Sequence, residues 1–408
     1  MPMFLHRRSA GAVVTLSKTK KMIYQKLKKL SSLRSAARAI IPSGIRPAAR
    51  ALLGERRNLK ELNLVEALAG EASNLATIEH YLVANFVPVR QPMIMISQAM
   101  RSGGTLLSQL FDDHPQVLMH PFELKTGYPG KWDWPPISPS KPASENFRYL
   151  FELTTLTLLK RGYSKGERDE ASSHPFLLVP SLQRAVFEKY CERFEVKTNR
   201  DIFDAYFTSY FNAWLNYRGL IEDTRYVSAF LPRLSSSEVL TDEFFDTWPD
   251  GHMISVLRDP LSFYASAKQY GRKYQETEFT GFDQAIGFWR ASAEGMLRNA
   301  GKYGDRLTVV CFEDLTQETR STMTHLCTRL GLDFDKSLLM PTFNGRAIKA
   351  NSSFEVTTHG LTNHRKDRLC VLDDEEKRII AESCTPLYET VRTRLAVGSS
   401  TAIAAVSK

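Results

Sequence analysis

The sequence is poor in cysteine, and this scarcity excludes two kinds of stabilising site. Five cysteines occur in 408 residues, and no two of them have C-x-x-C spacing. A structural zinc site or a framework of disulfides would need clustered or paired cysteines, so neither is expected. The same scarcity is typical of a protein from a reducing compartment.

Long apolar segments are also missing. No stretch of about 18 uncharged apolar residues is present, which argues against a transmembrane helix. Near the N-terminus, Gly11–Leu16 is too short for the apolar region of about 7–15 residues that a secretory signal peptide contains. We therefore expect a cytoplasmic protein that meets a membrane only at its surface.

Acidic residues are nearly absent from the first 60 positions. This arm holds 15 Lys and Arg but a single acid, Glu55, whereas the other 348 residues carry 39 basic and 44 acidic residues. Apolar residues between Met22 and Leu33 recur at helical spacing among lysines, so the arm could lie on an anionic membrane. A solvated basic tail and a targeting sequence are the alternatives, and nucleic acid is not expected as a partner.

The mildly acidic body alternates between strand and helix patterns. Apolar runs at Pro92–Ser97, His252–Leu257 and Arg306–Phe312 predict buried strands, and helical patterns follow at Leu106–Phe111 and Thr316–Leu330. Such alternation predicts a three-layer α/β fold with a mostly parallel sheet flanked by helices. Ligands of such sheets bind at the carboxyl ends of the strands.

The body is expected to form one large domain. We assign residues 1–60 to the basic arm, 61–90 to a leading helix, 91–395 to the main domain and 396–408 to a C-terminal tail. Aromatic and leucine residues at helical spacing predict a helical insertion over residues 146–219.

The segment Ser97–Leu107 joins the first strand to the first helix of the body. Consecutive backbone N–H groups and the helix dipole make an anion site at such a junction, although an ordinary turn is the alternative. Two adjacent glycines allow close approach of an oxyanion, an arginine adds a permanent charge, and two hydroxyls add donors. The residues concerned are Arg101, Ser102, Gly103, Gly104, Thr105 and Leu106.

This loop lacks the Lys-Ser/Thr pair of a Walker A motif, which makes an ATPase or kinase less expected. It instead resembles the 5′-phosphosulfate loop of sulfotransferases, which is Lys/Arg-Ser-Gly-Thr-Thr followed by apolar residues. Gly104 replaces the first threonine of that pattern, so a backbone N–H would have to serve in place of its hydroxyl.

A second resemblance is independent of the loop. Sulfotransferases bind the 3′-phosphate of their donor with an arginine at a strand end and a serine eight residues on, and Arg258 and Ser266 have this spacing. An ion pair between Arg258 and a surface acid such as Asp259 is the alternative. Val310–Leu315 and Arg346–Phe354 resemble further elements of the same family.

The resemblance, which spans about Pro92–Phe354, implies a P-loop-like fold of the glycan or bacterial type rather than the cytosolic aryl type. It implies transfer of a sulfuryl group from 3′-phosphoadenosine 5′-phosphosulfate to a hydroxyl of a carbohydrate or glycolipid, without a metal. Glu123 is then the general base, with His120 as its competitor, and Arg101 stabilises the leaving phosphate. Cofactor binding falls to residues 101–106 together with Arg258 and Ser266.

Four further residues are candidates for contacts with the acceptor. Lys125 follows Glu123 on the same face of an extended segment, although it could equally be an exposed lysine. Trp132 and Trp134 could stack on sugar faces or pin a loop to the domain. Arg233 follows an apolar run and is the last candidate.

Two other functions stay open at this point. One is a nucleotide-dependent kinase with a degenerate phosphate loop, which would need ligands for Mg²⁺. The other is a non-enzymatic adaptor at a membrane surface, in which the basic arm is the active part and the nucleotide fold is vestigial.

Overall fold

The computed structural model describes residues 76–124, 133–151, 155, 158–159, 162–163, 174–275, 281–349, 354, 360–361 and 368–397. The chain divides into two compact units, Met1–Ile78 and Glu79–Lys408. The predicted basic arm lies outside the described residues, so the architecture below is that of the second unit.

A five-stranded parallel sheet forms the centre of this unit, in the order β2-β3-β1-β4-β5. The predicted mostly parallel sheet is therefore confirmed. Because β1 lies between β3 and β4, the chain leaves β1 toward one edge of the sheet and later returns to its other side. Such a switch in strand order leaves a crevice at the carboxyl ends of the strands. The strands are β1 (Met93–Gln98), β2 (Val117–Glu123), β3 (Tyr226–Phe230), β4 (His252–Leu257) and β5 (Leu307–Cys311).

The sheet separates two apolar cores because successive side chains of a strand point to opposite faces. In β1, Met93 and Met95 pack into one core, while Ile94 and Ile96 pack into the other. All six residues of β1 are buried, as expected for a central strand with helices on both faces.

Helices cover both faces of the sheet. In chain order they are α1 (Gly104–Phe111), α2 (Ala143–Leu150), α3 (Pro180–Arg193), α4 (Asn199–Ala213), α5 (Glu238–Thr247), α6 (Pro260–Tyr274), α7 (Phe282–Tyr303), α8 (Phe312–Gln317), α9 (Thr319–Leu330), α10 (Asp374–Ser383) and α11 (Thr385–Leu395). Helices α2, α3 and α4 lie in or across the region where the sequence predicts a helical insertion, and α3 packs against α4.

Local chemistry explains where the helix after β4 begins. Asp259 caps α6 by accepting the N–H of Ser262 at 2.9 Å, and Pro260 occupies the first turn, where its missing N–H costs nothing. The strand predicted at His252–Leu257 is confirmed with the same bounds.

The region after β5 differs from its prediction in one respect. The helix expected from Thr316 instead begins directly after the strand, at Phe312, and is broken at Glu318. Glu318 has φ −122° and ψ 42°, which is outside the helical region, so α8 and α9 are separate helices.

The C-terminal end of the described chain adds to the edge of the sheet. Val397 donates its N–H to the carbonyl of Val309 at 3.1 Å, and Ala396 pairs with Val309 in a parallel bridge. Within the described part of the chain, no helix is both long and apolar enough to cross a membrane.

Candidate functional site

The loop between β1 and α1 has an unusual backbone. Arg101 has φ 61° and Gly103 has φ 100°, so both lie in the left-handed region. This conformation is energetically unfavourable for a residue that has a side chain. Hydrogen bonds hold this turn: Ser102 donates its N–H to the carbonyl of Ala99 at 3.0 Å, and Ala99 donates to Val256 of β4 at 3.1 Å. The loop is therefore fixed to the neighbouring strand.

Two aromatic rings explain why glycine occupies both positions 103 and 104. A Cβ atom added at Gly103 would lie 2.3 Å from the ring of Phe312, and one added at Gly104 would lie 2.4 Å from the ring of Phe230. Both separations are far below van der Waals contact. The glycine that departs from the sulfotransferase loop pattern is thus matched by a ring that fills the space of a side chain.

The first amide of α1 has a side-chain partner. Gly104 donates its N–H to Oε1 of Gln98 at 2.7 Å, whereas the N-cap residue, Gly103, provides no side-chain bond. Ser102 is fully buried, and among the described residues its hydroxyl has no hydrogen-bond partner. A buried hydroxyl without a partner beside a helix N-terminus is a group that a bound oxyanion would satisfy.

Arg258 brings a buried charge to the carboxyl end of β4. It is 6 % exposed, and its Nη1 donates to the carbonyl of Arg101 at 3.1 Å. Its guanidinium lies 4.4 Å from the ring centroid of Phe312. Within the described residues no carboxylate reaches ion-pair distance and its Nε has no partner. The alternative of a surface ion pair with Asp259 therefore does not fit this geometry.

Arg258 shares its surroundings with two other arginines. Burial, together with the charges of Arg368 and Arg101, lowers the pKa of its guanidinium to about 10, against the attraction of Glu313. Burial also lowers the pKa of Arg368, whose Nε has no partner among the described residues. Three neighbouring cations that remain protonated at neutral pH favour an anion between them.

Glu313 lies at the start of α8 and holds the backbone next to Arg258 in place. It is 7 % exposed and accepts the N–H of Asp259 at 3.2 Å and the hydroxyl of Tyr388 at 3.1 Å. Burial raises the pKa of its carboxyl group, and the charge of Arg258 opposes that change. Glu313 therefore fixes the first residues of α6 beside Arg258 and connects them to the C-terminal helix α11.

Ser266 is buried on α6, the helix that follows Arg258. Residue 270 lies one turn further along the same face, and the ring centroid of Tyr270 is 4.5 Å from the guanidinium of Arg101. Tyr270 in turn packs against Tyr274, with ring centroids 4.6 Å apart. The face of α6 that carries Ser266 is thereby directed toward the loop.

Glu123 ends β2 at an irregularity in the sheet. The register between β2 and β3 shifts between Met119 and Glu123, and the next residue, Leu124, donates to the carbonyl of Phe230 at 2.7 Å. Burial lowers the pKa of Arg101, while the charges of Tyr270, Tyr274 and Glu123 act in the opposite direction. The carboxylate of Glu123 thus lies within electrostatic reach of the loop arginine.

His120, the competitor of Glu123, has a different environment. It is 1 % exposed, and its ring lies 4.7 Å from that of Tyr210 and 6.2 Å from that of Phe207, both on α4. Its Nδ1 is 3.1 Å from the carbonyl oxygen of Phe122. His120 is therefore enclosed by the helical layer, while Glu123 is only partly buried.

The structure describes two of the four candidate residues for acceptor contacts, Trp134 and Arg233. Trp134 packs edge-on against Phe203 and Trp248, with centroids 5.7 and 6.3 Å apart, so it attaches its loop to the domain. The guanidinium of Arg233 lies 3.6 Å from the sulfur of Met100, which precedes Arg101. Lys125, Trp132 and residues 350–353 of the late basic segment lie outside the described residues.

Sequence reasoning missed three residues of this site: Gln98, Tyr270 and Arg368. Gln98 lies at the end of a strand pattern and Tyr270 lies within a helical pattern. Each therefore fits a purely structural role, and the sequence gives no signal of a functional one. Arg368 follows a run of basic residues without a periodic pattern. Within the described chain, no cluster of His, Cys, Asp or Glu could hold a metal ion.

Comparison with known proteins identifies a family. The model of the sulfotransferase family matches residues 92–336, which is more than half of the chain. Among curated proteins no match was found.

Two solved sulfotransferase domains are similar to this chain. The domain of the Synechococcus PCC 7002 olefin synthase is 21% identical, with a TM-score of 0.39, over 62% of this chain and 78% of that one. The domain from the curacin biosynthetic pathway is 16% identical, with a TM-score of 0.41, over 73% of this chain and 98% of that one.

Retinol dehydratase in a complex with retinol and PAP is also similar. It is 11% identical, with a TM-score of 0.32, over 76% of this chain and 83% of that one.

The contact between residues 104 and 230 generates a prediction. Gly104→Thr restores the family pattern but drives a side chain into the ring of Phe230, so it should lower the free energy of unfolding by about 1–3 kcal/mol. Urea denaturation measures this change. The double variant Gly104→Thr with Phe230→Leu should lose less free energy of unfolding than the sum of the losses in the two single variants.

Gly287→Thr is the matched control, because no atom of the described residues lies within 4 Å of a Cβ atom at that exposed helical position. It should leave stability nearly unchanged. A Gly104→Thr variant as stable as the unmodified protein would show that Phe230 does not impose glycine on the loop.

Proposed function

The chain belongs to the sulfotransferase family, and from this premise we propose that it transfers a sulfuryl group from 3′-phosphoadenosine 5′-phosphosulfate to a hydroxyl of a carbohydrate or glycolipid. The observation that supports the donor most directly is Arg258. It is a buried cation without a carboxylate partner among the described residues, at the carboxyl end of a parallel strand.

The described residues fit a ligand with two separate anionic groups. The turn at Arg101–Leu106 would bind the 5′-phosphosulfate, together with the buried hydroxyl of Ser102, which has no hydrogen-bond partner among the described residues. Arg258 and Ser266 would bind the 3′-phosphate, and Arg368, which acts electrostatically on Arg258, would add a further positive charge there. When bound, the donor supplies the sulfuryl group and a phosphate leaving group.

The chain's own residues would perform the remaining tasks. Glu123 would take the proton of the acceptor hydroxyl, since its carboxylate is partly buried and within electrostatic reach of Arg101. Arg101 and the loop amides would stabilise the negative charge that develops on the leaving phosphate. Catalysis then depends mainly on positioning and charge, as in phosphoryl transfer.

Calorimetric titration tests the donor assignment. The protein should bind 3′-phosphoadenosine 5′-phosphate (PAP), the expected product nucleotide, without Mg²⁺. Arg258→Ala should weaken that binding by about 2–5 kcal/mol, because it removes one partner of a buried charge-assisted contact.

Arg184→Ala is the matched control, because Arg184 is exposed and pairs with Glu188 on its own helix. It should leave the affinity unchanged. If Arg258→Ala binds PAP as tightly as the unmodified protein, the assignment of the 3′-phosphate is wrong. A preference for ATP with Mg²⁺ would instead favour the kinase alternative.

Glu123→Gln separates binding from catalysis. It removes a proton acceptor and keeps the shape of the side chain, so turnover should fall by about 10²–10⁴ while PAP affinity is nearly kept. Radiolabelled donor and a panel of glycans and glycolipids provide the assay. Full turnover by this variant would remove Glu123 from the mechanism, and labelling of no glycan or glycolipid would contradict the proposed acceptor class.

The basic arm has a separate proposed role, which rests on its charge alone. The arm has 15 basic residues and one acid, and this net positive charge would hold the enzyme at an anionic membrane that displays the acceptor. Deletion of residues 1–60 should abolish co-sedimentation with phosphatidylserine vesicles but preserve PAP binding. Neutral phosphatidylcholine vesicles are the control. Equal sedimentation of the deletion variant with phosphatidylserine would exclude this role.

A further inference from the structure

Gln98 occupies a position in the loop where a bound oxyanion is expected. It is the last residue of β1 and is 8 % exposed. Its Oε1 accepts the N–H of Gly104 at 2.7 Å, and that N–H is the first amide of α1. An oxygen carrying partial negative charge thus already lies at the helix N-terminus.

This contact uses a donor that the proposed reaction needs. The amides at the start of a helix have no partner within the helix and are the donors that bind phosphate at such turns. The Gly104 N–H has a single hydrogen, so it cannot make a short bond to Gln98 and to a phosphate oxygen at the same time. Position 104 also lacks the threonine hydroxyl of the family pattern, so the backbone N–H is the donor available there.

The surroundings restrict which other side chain could accept the N–H of Gly104. Gly103 has no side chain to cap the helix, and its φ of 100° with the ring of Phe312 beside it keeps it a glycine. Phe230 closes the other side of residue 104. A side chain from six residues upstream therefore caps the helix from inside the loop.

We propose that Gln98 is an internal competitor of the donor: its amide oxygen caps α1 in the empty loop and must leave the Gly104 N–H before the 5′-phosphate can bind. This inference rests on the proposed function, because it assumes that the loop binds the 5′-phosphate of the nucleotide. Gln98 sets the affinity for that nucleotide by stabilising the empty state.

Calorimetry of the full chain with PAP tests the proposal through two substitutions. Gln98→Ala removes the competing acceptor, so the dissociation constant for PAP should fall by about three- to tenfold, the equivalent of one net hydrogen bond. Gln98→Glu keeps an acceptor for Gly104 and adds a negative charge. It should therefore raise the dissociation constant by about tenfold or more.

Thermal unfolding provides a second readout. Without nucleotide, Gln98→Ala should unfold at a lower temperature than the unmodified protein because the Gly104 N–H loses its acceptor, and saturating PAP should reduce this difference. Gln109→Ala is the matched control: it removes a buried glutamine of α1 that bonds Tyr163 instead. It should leave the dissociation constant for PAP unchanged.

The outcomes separate this inference from the proposed function. If the unmodified protein binds PAP but Gln98→Ala binds it equally or more weakly, Gln98 is not a competitor. If Gln98→Glu binds PAP as tightly as the unmodified protein, the same conclusion follows even where the alanine variant fails to fold. If the unmodified protein does not bind PAP at all, both proposals fail.

Discussion

A buried guanidinium that has no carboxylate partner within the described part of the chain is the constraint on which the rest of the site depends. Taking a charge out of water is costly unless an opposite charge or several hydrogen bonds compensate. Arg258 is 6 % exposed, and among the described residues its guanidinium has one hydrogen bond, to the carbonyl of Arg101. An anion that binds there would compensate the buried charge. Binding would therefore be favoured by the same desolvation that makes the unbound guanidinium unfavourable.

The fold maintains this arrangement from two sides. The parallel strands β1 and β4 end at the same edge of the sheet, which brings the loop and Arg258 together although 157 residues separate Arg101 from Arg258. On the other side, Glu313 and Tyr388 fix the start of α6 through the backbone of Asp259. The rings of Phe312 and Phe230 then occupy the space that a Cβ atom would need at positions 103 and 104, and Gly103 also has a positive φ.

The sequence predicted three of the five strands, β1, β4 and β5, and it contains the two motifs that resemble the phosphate sites of sulfotransferases. Each of these three strands is a short apolar run between polar turns, and the Asp259-Pro260 pair marks a helix start, so local chemistry was sufficient there. The family match supports the interpretation that these patterns suggested. The roles of Glu123 and Ser266 stay proposals.

Other features depend on contacts between distant residues and have no local pattern. Arg368 acts electrostatically on Arg258 although 110 positions separate the two residues in the sequence. The break at Glu318 and the contact of Gln98 with Gly104 depend likewise on backbone geometry and on packing. From the sequence, a sugar-stacking role and a structural role could not be distinguished for Trp132 and Trp134. The structure shows that Trp134 packs against Phe203 and Trp248.

The most direct test of the account is a comparison of two nucleotides that differ by one phosphate. PAP and adenosine 5′-monophosphate share the base, the ribose and the 5′-phosphate, and only PAP offers an anion to Arg258. In metal-free calorimetry the account predicts that PAP binds more tightly by about 30-fold or more, the equivalent of at least about 2 kcal/mol for a buried charged contact. Equal affinities for the two nucleotides would contradict it.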